Sequence, residues 1–206
     1  MRAAYHEPTP GSDPIRERII QTATRLFTSL GYDGTSTQLI ADSAGLDLAT
    51  VTDRAGGKRD IYLAVMEKAH LTEREMLEAA AAEFTPDRAG VHRLLDSCLD
   101  FYADNPEIPW LWMHRRQADA TDITGLENLY LMPALGLIKE MLHKAVDTDV
   151  DLDYALWTII WCIDGFCVGG VLDRNGRRKG PHDFRYLERF RTHLRQLVDR
   201  MLELDR

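Results

Sequence analysis

Apolar residues recur at helical spacing along nearly the whole chain, and no convincing alternation of apolar and polar positions between hairpin turns marks a strand. The pattern predicts an all-α fold of about nine helices. In the first helix Ile15, Ile19, Ala23, Leu26, Phe27 and Leu30 form one stripe. Ser12 or Asp13 stands where a cap is needed, Pro14 suits the first turn and Gly31 the stop. Pro8, Pro10 and Gly11 mark residues 1–12 as a tail.

The next stretch is more closely punctuated. Thr35-Ser36-Thr37-Gln38 reads as a capping box, with Thr35 placed to accept from the amide three residues on and Gln38 to reach back. The helix it opens ends near Gly45, Asp47 is the next N-cap, and Gly56-Gly57 break the chain before a long helix from about Lys58 to Glu83. Two short helices between longer supports match a helix-turn-helix. The expected division is a helix-turn-helix domain over 13–57 and a larger helical domain over 58–206.

The larger part carries all four tryptophans. In "NPEIPWLWMHRRQAD", 105–119, the helix breaks at Pro106 and Pro109, then sets Trp110, Met113 and Gln117 on one face and Trp112 and Arg116 on another. Tryptophans at helical spacing fit core packing. Together they also suggest an apolar pocket with a few polar anchors, lined by Trp110, Met113, Arg116, Gln117, Trp157, Trp161 and Asp164. The segment 153–173 is apolar around most of its circumference, which a helix tolerates when buried on both sides, and a dimer interface would supply the second. Gly165 and Gly169 would let another helix or a ligand approach. Asp164 inside this run needs a partner such as Arg115, Arg116 or a ligand cation, unless it lies at the helix edge. The last helix, from about His182 to Leu204, repeats Phe184, Leu187, Phe190, Leu194, Leu197, Val198 and Met201 on one side, and the basic turn before it, Arg174 to Lys179, reads as a solvated loop.

Composition narrows the function classes. The formal net charge of −8 over 206 residues argues against whole-surface polyanion binding, so any nucleic-acid contact must be local. Cys98, Cys162 and Cys167 lack metal-ligand spacing, no secretory leader pattern is visible, and the apolar run Tyr154–Ile163 is too short to span a bilayer. A cytoplasmic location, no metal, no cofactor and no membrane partner are expected. With no phosphate-binding glycine loop or nucleophile elbow, neither is catalysis.

"IRERIIQTATRLFTSLGYDGTSTQLIADSAGL" resembles the N-terminal domain of TetR-type transcriptional regulators, through Leu26-Phe27, Gly31-Tyr32, Thr35-Ser36, Ile40-Ala41 and Ala44-Gly45 in register, continued by Lys58 and the Leu63-Ala64-Val65 run. The resemblance covers roughly the first third of the chain. It implies a regulator, a repressor released from double-stranded operator DNA by a small, largely apolar effector, and a homodimer formed through the last two helices. By position Lys58 matches the family's phosphate-contacting lysine. Thr37 also falls near a helix start, Ala49, Thr50 and Thr52 are small or hydroxylated enough to meet base edges, and Gln38 and Arg54 complete the expected DNA-binding set.

Two acids depart from the family pattern. Asp47 is accounted for as a cap. Asp53 falls near a helix C-terminus, where an anion is disfavoured, and would meet phosphate unless it points away, pairs with Arg54 or Lys58, or accepts from a cytosine amino group. Residues 1–60 hold seven basic and eight acidic side chains, net −1. The alternative to a working regulator is therefore a TetR-fold sensor whose head is degenerate.

Overall fold

The computed structural model describes residues 13–146 and 150–204; the tail and Ser12, the alternative cap, lie outside them. The described chain is all-α: α1 Pro14–Leu30, α2 Thr37–Ala44, α3 Leu48–Ala55, α4 Lys58–Ala82, α5 Arg88–Asp104, α6 Glu107–Arg116, α7 Met132–Ala145, α8 Leu152–Asp164 and α9 Phe184–Met201. A π-helical turn, Glu127–Leu131, leads into α7, and another, Gly165–Gly169, extends α8. One feature was not expected: β1, Val171–Leu172, pairs antiparallel with β2, Arg178–Lys179, so the basic turn is the tip of a hairpin.

Local chemistry sets the boundaries. Asp13 accepts from the Ile15 amide, Asp47 from Thr50 and Asp87 from Gly90, capping α1, α3 and α5. Gly45 ends α2 in the left-handed region. The capping box at α2 is not formed as expected. Ser36 is the cap, accepting from Leu39, while Thr35 is buried and donates its hydroxyl to Gly31 O. Gln38 donates to Asp42 instead of reaching back. Pro109 does not break α6; it is buried at its third position, where no intrahelical N–H is required.

The chain divides into two compact units. Within the described residues the first comprises 13–68 and 114–123, running past the boundary expected at 57 and recruiting a segment from far along the chain. Its core includes Ile19, Ala23, Phe27, Ile40, Ala41, Val51, Ile61 and Tyr62, with Phe27, Tyr32 and Tyr62 in edge and stacked ring contacts.

The second unit holds Ala69–Met113 and the chain from Thr124 onward. Its core joins Val91, Leu95 and Leu99 of α5, Leu152, Leu156 and Ile163 of α8, and Leu194 and Val198 of α9, with Phe166 and Phe190 stacked at 4.1 Å. Leu152–Gly169 is long and apolar enough to cross a membrane, with mean hydropathy 1.3, a longer window than the Tyr154–Ile163 run. In this fold its buried side is core.

Candidate nucleic-acid interface and sensor site

Helix α3 buries one residue, Val51, and exposes Leu48, Ala49, Thr52, Asp53 and Arg54. Five of its eight residues are exposed, on the side turned away from α1 and α2. Asp47 Oδ1 accepts the Thr50 amide at 2.8 Å and Oδ2 accepts the Thr50 hydroxyl at 2.9 Å, which turns that hydroxyl's proton inward and leaves its lone pairs. These bonds hold the Asp47 carboxyl below the usual carboxylate range. Thr52 donates to Leu48 O, so its methyl and an acceptor face outward.

Asp53 resolves into a local ion pair. Its carboxylate lies 3.4 Å from Arg54 Nε, and Arg54 Nη1 also reaches Asp13 at 3.3 Å, so the one basic side chain of α3 is shared between two acids. Lys58, at the start of α4, sits 4.0 Å over the Tyr32 ring, a cation–π contact that leaves the ammonium partly exposed. Asp60 accepts the Gly57 amide and closes the turn before α4. Thr37 is half-buried and Gln38 exposed in the first turn of α2. The exposed Leu48, absent from the sequence-derived set, adds an apolar group at the start of α3.

The sensor set is less coherent. Trp110 and Met113 are half-buried in the second unit, whereas Arg116 and Gln117 are exposed and belong to the first. Trp157 and Trp161 lie together, ring centroids 5.9 Å apart, but Trp161 is 55% exposed. With Tyr154 they form an outward aromatic stripe on α8. Asp164 is buried rather than at a surface edge. Its charge helps raise the pKa of Glu73, a buried carboxyl shifted upward first by burial and hydrogen-bonded by the Tyr102 hydroxyl. Burial and the Glu73 charge push the Cys98 thiol up to about 12. Glu73, Tyr102 and Cys98 carry no spacing signal that sequence reasoning could have used.

Residues 19–65 match the family of bacterial regulatory proteins, tetR family. This stretch carries a TetR-type N-terminal domain. The fold agrees. The fatty acid degradation regulator of Bacillus halodurans superposes with a TM-score of 0.66 at 16% identity, over 91% of this chain and 95% of that one. The TetR family transcriptional regulator PfmR of Thermus thermophilus gives 0.65 at 18%, over 91% and 96%. A TetR-like transcriptional regulator of a Rhodococcus species gives 0.64 at 16%, over 95% and 97%. No curated protein matches the sequence. The matched span holds α2, α3 and most of α1, so the exposed α3 corresponds to the third helix of a TetR-type head.

Proposed function

We propose that this TetR-type regulator is a ligand-responsive repressor. Its α3 enters the major groove, with Leu48, Ala49, Thr50 and Thr52 meeting base edges and thymine methyls, and Thr37, Gln38, Arg54 and Lys58 holding phosphates. The observation that carries this reading is the exposed face of α3, rigidly capped by Asp47 and anchored only by Val51.

The aromatic stripe Tyr154, Trp157, Trp161 supports a homodimer, mainly through α8. On α9, Arg185, Arg189, Thr192 and His193 are exposed, and Phe184, expected in its apolar stripe, is 74% exposed as well. A two-fold dimer sets its heads on successive major grooves, roughly 34–36 Å apart. An effector in the second unit, near Trp110, Met113 and Asp164, favours a dimer geometry that mismatches the operator and shifts the population off DNA. A largely apolar molecule suits the tryptophans, and the likeness to a fatty acid degradation regulator makes acyl compounds the first to screen. A cytoplasmic location goes with this reading.

The test is binding of the purified protein to its own upstream intergenic DNA at low and physiological salt, beside a scrambled duplex. Retention of the specific duplex alone at physiological salt is expected. A second reading, a sensor with a degenerate head, draws support from the sharing of Arg54 between Asp13 and Asp53. It predicts no specific retention in either salt.

A further inference from the structure

The head is closed by a segment well outside the matched 19–65. Helix α6 begins in the second unit, its last turn belongs to the first, and the chain stays with the first unit through Ile123. Within this segment Ala120 and Ile123 are almost wholly buried, a ring nitrogen of His114 lies 3.0 Å from Thr28 O, and Arg115 donates to Ala120 O. Ala118 and Ala120 both adopt positive φ, 64° and 56°, a conformation that non-glycine residues rarely take.

This unusual path delivers one group. The Asp119 carboxylate accepts the Tyr32 amide at 2.6 Å through Oδ2 and the Asp33 amide at 2.8 Å through Oδ1. These are the two N–H groups just past Gly31, where α1 stops at φ 73°, and the hydroxyl of Thr35 binds back to Gly31 O in the same turn. A Cβ at position 31 would stand 3.0 Å from Asp119 Oδ1, so the glycine serves both the left-handed turn and the approach of the carboxylate. Asp33 is exposed, so water can take over its amide, whereas Tyr32 is buried and its amide depends on the carboxylate.

We propose that Asp119 is a positioning residue for DNA binding. Its carboxylate fixes the α1–α2 turn and thereby the placement of α2 and α3. The proposal rests on the reading that the head binds operator DNA.

The test uses the full chain with Asp119→Asn and Asp119→Ala, and Asp122→Asn as a control that removes an exposed acid from the same segment. Affinity for the upstream duplex and for a scrambled duplex is measured by fluorescence anisotropy below the melting transition. Amide exchange at Tyr32 and Asp33 is followed in parallel. Removing an acid near DNA for electrostatic reasons alone raises affinity, so positioning predicts the opposite sign. Both Asp119 variants should lose at least tenfold in specific affinity with scrambled binding retained, and exchange at Tyr32 and Asp33 should quicken. Asp122→Asn should bind at least as well as the parent. Should Asp119→Ala fail to fold, Asp119→Asn, which keeps one acceptor oxygen, carries the comparison. Parent-like specific affinity in a folded Asp119 variant, or unchanged exchange at both amides, overturns the proposal alone. Absence of specific binding by the parent overturns the DNA-binding reading and this proposal with it.

Discussion

Arg54, in the last turn of the reading helix, bonds to Asp13, the cap residue that opens α1, across 41 positions of sequence at 3.3 Å. The same guanidinium lies 3.4 Å from Asp53. On the reading that α3 faces DNA, this cation is partly neutralised beforehand and the acids compete with phosphate for it.

Asp13→Asn keeps the α1 cap, since asparagine caps as well as aspartate, but removes the competing charge. Exposed ion pairs contribute at most about 1 kcal/mol, so operator affinity should rise by roughly three- to fivefold. Arg54→Ala should weaken binding by a similar factor and lower the salt slope by about one. A salt titration of both variants checks the pair; equal slopes for Arg54→Ala and parent would remove Arg54 from the phosphate contacts.

In the second unit, Asp199 is buried and accepts from Arg88 Nε and Nη2 at 3.1 and 2.6 Å, with His92 Nε2 at 2.6 Å. Burial alone would raise its carboxyl, but the bonds from Arg88 and His92 outweigh it and the pKa falls below the ordinary value. Its contribution to stability is therefore complete above the unfolded-state pKa and disappears as pH falls through the lower folded value. Asp199→Ala should cost roughly 2–3 kcal/mol near neutrality, less than a fully buried pair because half of the Arg88 side chain is exposed. Thermal melts from pH 7 to pH 2 should show the difference shrinking at the acid end.

Glu73 has the opposite sign. Burial first, and then the charge of Asp164, raise its pKa despite the hydrogen bond from Tyr102. The folded state holds its proton more tightly than the unfolded state, so stability is lost as pH rises through the folded pKa. Glu73→Gln keeps an acceptor for Tyr102 and needs no proton. It should match the parent in acid and melt higher than the parent above that transition. Identical pH profiles for the two would mean that Glu73 is charged in the fold.

Tyr154 and Trp161 are 70% and 55% exposed on one side of α8. Trp161→Glu should convert the dimer to a monomer by light scattering while leaving helical content unchanged, since the side chain adds little to the core of its own chain. A parent that is monomeric at working concentration would remove α8 as the interface.

What the sequence made legible follows the range of the interactions. Asp13, Asp47 and Gly45 act within four residues, so residue type and spacing disclosed the caps of α1 and α3 and the stop of α2. The five pairs of the head pattern were legible for the same reason. Thr35 misled because its hydroxyl is consumed inside the turn by Gly31 O and the cap passed to its neighbour Ser36. The bonds from Asp119 to the Tyr32 amide and from Tyr102 to Glu73 span 87 and 29 positions, and no local pattern foreshadows either. Arg116 and Gln117 continue the α6 periodicity in sequence, but the helix ends at Arg116, both residues already belong to the first unit, and the left-handed Ala118 and Ala120 turn the chain beyond them.

The tryptophans at 110, 112, 157 and 161 all fall in the second unit, and the head has none. Indole emission is therefore a private optical channel for the second unit. On the proposed function its colour would register burial of Trp161 on self-association and changes around Trp110 on effector entry, while motions of α3 stay dark. A single tryptophan placed in the head, at Leu48, would open a second channel, so that signal arrival and signal origin could be timed separately in one unlabelled protein.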